Sequence, residues 1–223
     1  MYIAEIFHSL QGEGSLIGVP SIFIRTSGCN LRCSWCDTPY TSWQPEGRHL
    51  SLDQILAEIA SHPARHVVVT GGEPMIAAEI VSLTEQLRAR GLHITIETAG
   101  TMFVPVTCDL MSISPKLANS TPTGSWSAQH DRLRFQPAIL RRLMDHYEHQ
   151  LKFVVADPRD MEEIRRMLHQ LGANPASVIL MPEGTEASVT RERGLWLAEI
   201  AKREGFRFSP RLHIDLWGSR RGV

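Results

Sequence analysis

The chain has 223 residues, 43% of them hydrophobic, and a formal net charge of -1. That is enough apolar content for one full core, and single domains of the α/β barrel type reach this length. The near-neutral balance, with no Lys/Arg run before Arg220-Arg221, argues against a partner recognised through phosphate charge, so no nucleic acid is expected. No apolar run is long enough to span a bilayer, and Met1 to Glu5 lacks the basic-then-apolar layout of a signal peptide. A cytoplasmic protein with no membrane partner is expected, and its four cysteines then point to metal or catalysis before disulfides.

In chain order, Ser21 to Thr26 reads as the first strand, with Ile22 and Ile24 on one face and Phe23 and Arg25 on the other. Ser51-Leu52-Asp53-Gln54 is a capping box that opens a helix running to about Ser61. His66 to Thr70 is a short β-branched run, hence a buried strand. Ile76, Ile80, Leu83 and Leu87 recur at helical spacing until Gly91 stops them. Further strands are predicted at His93–Glu97, Leu110–Ser114, Leu151–Val155 and Ser177–Met181. Further helices are predicted at about Pro137–His146, Asp160–Leu171 and Ser188–Glu204, with Gly172 and Gly205 as stops. Ala118 to His130, rich in Ser, Thr and Gly, is predicted as a long loop, mobile or a lid. Phe206 to Leu216 is predicted as a final extended segment. Strands alternating with helices imply a parallel sheet with right-handed crossovers. Six strands are too few for a closed eight-stranded barrel. An open partial (β/α)6 barrel in one α/β domain, residues 1–223, is the first expectation, and a doubly wound sheet the second. In both, chemistry collects at the carboxyl ends of the strands.

Three cysteines, Cys29, Cys33 and Cys36, fall within eight residues just after the first predicted strand. A closed zinc site wants four ligands, so here it would have to draw on Cys108 or a distant histidine. A Cys-x-x-Cys redox pair leaves Cys29 without a role. A [4Fe–4S] cube also takes four ligands, and three cysteines would leave one iron open for a small molecule. Thr70-Gly71-Gly72-Glu73-Pro74 ends the next strand. Its glycines allow a close backbone approach to a ligand, while Glu73 can accept from an ammonium group or fix the loop. The plain alternative is a strand-to-helix turn with proline at the helix start.

Cys-x3-Cys-x-aromatic-Cys, with Trp35 in the aromatic slot, resembles the signature of the radical S-adenosylmethionine (SAM) superfamily, and the Gly-Gly-Glu-Pro run is similar to a second motif of that superfamily. Ser9-Leu10-Gln11-Gly12-Glu13-Gly14, Arg25 and Asp37-Thr38 narrow the resemblance to the 7-carboxy-7-deazaguanine synthases of queuosine and deazapurine biosynthesis. It continues through Glu97–Thr101, Ser114-Pro115-Lys116, Leu151–Val154, Met181–Gly184 and Leu212–Gly218. Ala99 stands where the family commonly has asparagine, and Ala118 to His130 matches no part of the family pattern.

The resemblance implies a lyase acting on 6-carboxy-5,6,7,8-tetrahydropterin. A 5′-deoxyadenosyl radical would abstract hydrogen from C6, and ring contraction with loss of ammonia would give 7-carboxy-7-deazaguanine. SAM would be regenerated. The implied cofactors are one [4Fe–4S] cluster, SAM and Mg²⁺; the implied partners are an electron donor such as flavodoxin and a second copy in a homodimer. By the same resemblance Cys29, Cys33 and Cys36 hold the cluster and Thr38 gives an oxygen to Mg²⁺. Trp35, Cys36, Asp37, Gly72, Glu73, Ser114, Pro115, Lys116, Met181, Pro182, Glu183 and Gly184 meet SAM. Leu10, Gln11, Gly12, Arg25, Thr70, His213 and the Val223 carboxylate meet substrate, with an N-terminal substrate-binding segment and a C-terminal extension flanking the core. Arginine's planar fork suits a carboxylate. On residue chemistry alone, Arg25 could equally be a surface strand arginine, Lys116 a solvated loop lysine, Thr38 a helix cap, His213 a core histidine and Val223 a frayed end. Cys108 reads as a buried bystander. Two rival readings stay open: a glycyl-radical-enzyme activase, against which Gln11–Glu13 and Arg25 argue, and a zinc-binding interaction domain.

Overall fold

The computed structural model describes all 223 residues, Met1–Val223. In chain order it runs β1 (Tyr2–Leu10), β2 (Pro20–Thr26), β3 (Arg48–His49), α1 (Leu52–Ile59), β4 (His66–Gly71), α2 (Ile80–Ala89), β5 (His93–Thr98), β6 (Leu110–Ile113), α3 (Ser127–Leu133), α4 (Pro137–His146), β7 (His149–Val155), α5 (Asp160–Leu171), β8 (Val178–Pro182), α6 (Ala187–Glu204), β9 (Arg207–Phe208) and α7 (Leu212–Trp217). The strands form one sheet in the order β3-β1-β2-β4-β5-β6-β7-β8-β9. From β2 to β9 every neighbouring pair is parallel; β1 is antiparallel to both β2 and β3. The six strands expected from the sequence are the central β2, β4, β5, β6, β7 and β8, and the sheet ends in β3 and β9 without closing on itself. The partial barrel, not the doubly wound sheet, is the fold. No helix is long and apolar enough to cross a membrane.

The period of two along each strand sorts side chains between two environments. One face carries Ile22 and Ile24, Val67 and Val69, Ile94 and Ile96, Leu151 and Phe153, and Val178 and Leu180 into the hydrophobic core under the helices. Each such side chain contributes roughly 1.5–3 kcal/mol by leaving water. The other face turns Phe23, Arg25, Thr70, Glu97, Ser112, Lys152, Val154 and Met181 toward a central cavity.

The local rules for helix ends hold. Ser51 accepts from the Gln54 amide at 3.2 Å and Gln54 returns a bond to the Ser51 amide at 2.9 Å, so the capping box is real. Gly172 and Gly205 take positive φ at the ends of α5 and α6.

Four expectations need correction. Tyr2–Leu10, read as lying ahead of the first strand, is itself a strand, because it closes the β2 edge and pairs with Arg48–His49. The helix expected from Ile76 begins at Ile80, since Pro74–Ile76 forms a separate 3-10 turn. The final extended segment is a two-residue strand followed by α7. Ala118 to His130 is not one long loop, and it does not cover the cavity as a lid would. It forms a 3-10 turn at Ala118–Ser120 and then the start of α3, with His130 and Ser120 fully buried.

Candidate active site

The cavity, about 260 Å³, opens at the carboxyl ends of the strands. Cys29, Cys33 and Cys36 all line it, in the loop that follows β2. The loop is held by specific bonds: the Leu31 amide donates to Cys29 Sγ at 3.4 Å, Trp43 Nε1 donates to the Cys33 carbonyl at 3.0 Å, and Cys36 Sγ lies 3.3 Å from Ser42 Oγ. Burial, with the Glu73 carboxylate second, pushes the Cys29 thiol up to about 12; burial also pushes Cys33 up to about 11, against a partial pull from Lys116. Burial thus disfavours the thiolate forms of Cys29 and Cys33, a cost that a bound cationic centre would offset.

All four cysteines are free, and Cys108 packs against the hydrophobic core instead of lining the cavity. Three thiols facing one cavity, with no fourth cysteine beside them, is the donor set that a [4Fe–4S] cluster with one open iron requires. No three His, Cys, Asp or Glu side chains converge on a point as a single-ion site would need.

The Gly71-Gly72 pair has a defined steric role. A Cβ on Gly72 would sit 2.1 Å from the Gly28 carbonyl oxygen, and one on Gly71, whose φ is +140°, would sit 2.2 Å from the Thr26 carbonyl oxygen. The close approach is therefore to the backbone that launches the cysteine loop, which the Glu73 amide also meets by donating to Gly28 O at 2.9 Å. Glu73 is buried behind the cavity wall and fixes the loop. Its carboxylate accepts from Thr98 Oγ1 at 2.7 Å, the Ala99 amide at 2.8 Å and the Met75 amide at 3.1 Å.

Of the other residues singled out from the sequence, Leu10, Gln11, Gly12, Arg25, Trp35, Asp37, Thr38, Thr70, Gly72, Ser114, Lys116, Met181, Glu183, His213 and Val223 line the cavity, whereas Glu73, Pro115, Pro182 and Gly184 do not. Arg25 Nε donates to Glu5 Oε1 at 2.7 Å, and Tyr40 donates to the same oxygen at 2.6 Å. The terminal nitrogens of Arg25 are left free to meet a ligand. Thr38 precedes a 3-10 turn but its side chain makes no capping bond, and its hydroxyl stands 3.9 Å from Cys36 Sγ. Lys116 Nζ donates to Ser114 Oγ at 2.8 Å and lies 5.9 Å from the Trp35 ring. The chain end reaches the cavity: Arg221 stacks 3.4 Å over the Tyr40 ring and pairs with Glu46, bringing Gly218–Val223 to the rim.

The wall facing the cysteine loop is charged, and three of its members, Glu13, Lys152 and Arg211, have no site role in the reading of the sequence. Buried Lys152 donates to Glu13, whose other oxygen accepts from Arg211 Nε at 3.1 Å. Arg211 also donates to Asp37 and, at 2.6 Å, to the Gly184 carbonyl. Gln11 Nε2 and Thr70 Oγ1 donate to the two oxygens of Glu97 at 3.1 and 2.9 Å.

Burial alone would raise Glu13, but Lys152 and Arg211 outweigh it and hold the carboxyl well below its usual range. Arg211 does the same for Asp37 against the same burial. Burial alone would lower Lys152; Glu13 and Glu97 keep it above the ordinary lysine value. His213 is lowered chiefly by burial and packs on Gly12, where a Cβ would meet its Nδ1 at 2.1 Å. A signal for Lys152 was present: a lysine between Leu151 and Phe153 in an otherwise apolar strand is turned away from the core. Arg211 had none, because its segment was read as plain extended chain.

Comparison with known proteins gives the family. Residues 23–118 match the Radical SAM superfamily model. The 7-carboxy-7-deazaguanine synthase of Halobacterium salinarum is 47% identical over 96% of this chain and 90% of its own length. That of Rhodopirellula baltica is 44% identical over 100% of this chain and 89% of its own length. The crystal structure of QueE from Escherichia coli superposes with a TM-score of 0.72 at 30% identity, covering 95% of this chain and 94% of that one. With three cavity-facing thiols on the loop after β2, and relatives matched over 96–100% of this chain, the chain belongs to the 7-carboxy-7-deazaguanine synthase family of radical SAM enzymes.

Proposed function

We propose that this enzyme converts 6-carboxy-5,6,7,8-tetrahydropterin to 7-carboxy-7-deazaguanine with loss of ammonia. One observation carries the reading: a single cavity joins the three-thiol loop to hydrogen-bonding groups suited to a flat, acidic heterocycle. A [4Fe–4S] cluster on Cys29, Cys33 and Cys36, with SAM on its open iron, would supply the 5′-deoxyadenosyl radical that removes hydrogen from C6.

The chain's own residues bind and orient. The free terminal nitrogens of Arg25 suit the substrate carboxylate, and Glu5, holding Nε, keeps the fork aimed into the cavity. Leu10, Gln11, Gly12 and Thr70 border the space for the pterin edge, with Glu97 behind two of them; His213 and the Val223 carboxylate lie on the same side. Trp35, Cys36, Asp37, Gly72, Ser114, Lys116, Met181 and Glu183 surround the space for SAM, with Pro115, Pro182 and Gly184 shaping the loops behind them. Lys116 is placed as a cation for the methionyl carboxylate. Glu73 serves that site by fixing the Gly71-Gly72 turn. Thr38, with a hydroxyl not spent on capping, is the oxygen offered to Mg²⁺, whose remaining ligands would come from substrate and water.

We further infer a one-electron donor such as flavodoxin, because the only cysteine outside the cluster loop packs against the core and offers no second redox centre at the cavity. A homodimer follows from the family resemblance. The four free cysteines accord with a reducing, cytoplasmic setting.

The test is an anaerobic turnover assay with the carboxytetrahydropterin and SAM, read by mass spectrometry. 7-Carboxy-7-deazaguanine should accumulate beyond the SAM consumed. Methionine release in step with product would overturn the cofactor role of SAM, and absence of the deazapurine would overturn the substrate assignment.

A further inference from the structure

The segment Ala118 to His130 falls outside the family pattern, and it does not line the cavity. It grips the cysteine loop from behind at three points. The Ser34 amide donates to the Ser120 carbonyl at 2.9 Å, and Trp35 Nε1 donates to Asn119 Oδ1 at 3.1 Å. The Arg32 amide donates to Nδ1 of His130 at 3.0 Å. Arg32 and Ser34 flank Cys33, so these bonds hold the backbone on both sides of one thiol. The Arg32 guanidinium packs 4.3 Å over the Trp126 ring of the same segment. Asn119 is anchored in turn by donating to Asp160 at 2.8 Å.

The bonds around His130 have one consistent direction. Nδ1 accepts, so it carries no proton, and the ring proton is on Nε2. Nε2 lies 2.9 Å from Ser120 Oγ, which donates onward to the Leu117 carbonyl at 2.6 Å. Ser120 therefore accepts from the ring and selects the tautomer that can receive the Arg32 amide. His130 is 1% exposed and Ser120 0%, so water cannot replace either partner, and an Arg32 amide left without its acceptor would bear the full cost of a lost bond.

We propose that His130 is a positioning residue for the iron–sulfur cluster: as the Nε2–H tautomer set by Ser120, it holds the Arg32 amide and so fixes the turn that presents Cys29 and Cys33. The proposal rests on the reading of Cys29, Cys33 and Cys36 as cluster ligands. It adds a support that comes from a segment outside the family motifs and touches neither SAM nor substrate.

The test compares wild type, His130→Leu and His130→Asn, each reconstituted anaerobically with iron and sulfide. The readout is the rate at which a chelator bleaches the visible absorbance of the cluster. Leucine fills the volume without an acceptor; asparagine keeps an oxygen near the Nδ1 position. His130→Leu should bleach about tenfold faster than wild type, and His130→Asn should stay within about threefold of it. Equal rates in the two variants, or a wild-type rate in His130→Leu, would overturn the proposal, since a residue that merely fills the core would not be rescued by a polar acceptor. Should His130→Leu fail to fold, Ser120→Ala leaves the imidazole in place without its tautomer-selecting partner. It should bleach about threefold faster than wild type, and an unchanged rate would overturn the proposal equally. Failure of the wild-type protein to take up iron would overturn the cluster reading and this proposal with it.

Discussion

The two walls of the cavity are built in opposite ways. The cysteine loop is local: three thiols lie within eight residues, braced by backbone amides, Gly71-Gly72 and the Ala118–His130 segment. The facing wall is assembled from afar: Lys152 meets Glu13 across 139 positions of sequence, and Arg211 meets Glu13 across 198. A metal centre needs several like groups on one short tether, so that binding does not have to close several long loops at once. The buried ion network draws its opposite charges from β7 (Lys152), the loop after β1 (Glu13) and the residue before α7 (Arg211), which meet only after the barrel has formed.

Cutting the local wall should have the largest effect. Cys33→Ser should abolish cluster assembly and turnover, read as iron content and product, while the fold persists by circular dichroism. Cys108→Ala is the control and should keep both near wild type. Loss of iron in Cys108→Ala would mean that the cluster draws on the core side, and the contrast between the walls would fail.

In the assembled wall, Glu13→Ala leaves Lys152 buried without its closest partner. Breaking a buried pair from one side costs roughly 3–5 kcal/mol, measurable as a shift in the denaturant midpoint. The pH dependence has a definite sign. Glu13 is held below its ordinary value of 4.5, so its stabilisation is fully present above that value and is lost as pH falls through the lower folded-state value. Wild type should therefore lose stability on acidification below about pH 4.5, and Glu13→Ala should show a shallower decline there. Parallel curves would mean that the network is stabilised by something other than this carboxylate.

Arg25→Lys probes the substrate side with a smaller change. Losing the fork while keeping the charge should weaken substrate binding by roughly 1.5–3 kcal/mol, or about 10- to 150-fold, with SAM affinity unchanged. Equal weakening of both ligands would reassign Arg25 to holding β1 against β2 through Glu5.

The smallest expected effect is at Thr38. Thr38→Ser should retain Mg²⁺ stimulation of turnover and Thr38→Ala should lose it, with iron content unchanged in both. Superimposable Mg²⁺ titrations for wild type and Thr38→Ala would remove the metal role and leave the cluster assignment standing.

What could be read from the chain alone follows the same division. The six parallel strands, the stops at Gly172 and Gly205, the capping box at Ser51 and the cysteine trio all depend on neighbours a few residues apart, where side-chain period, backbone freedom and ligand spacing are already defined. Residues facing into the barrel carry a partial signal: Arg25 stands beside a motif, whereas Lys152 lies within an apolar strand run that by itself indicates no role, because which face of a strand lines a cavity is settled only when the sheet curls. Tyr2–Leu10 became a strand because β2 had an open edge to pair. Leu212–Trp217 became a helix where its amides meet the loop after β1, with Leu212 N donating to Gly12 O at 2.9 Å. The tertiary structure alone decided that Asn119, Ser120 and His130, in a segment rich in Ser, Thr and Gly, bond to the cysteine loop. Turn-rich composition reports a weak local preference, and the partners that overrule it, the Arg32 and Ser34 amides, are about 90 residues away along the chain and arrive only with the folded sheet.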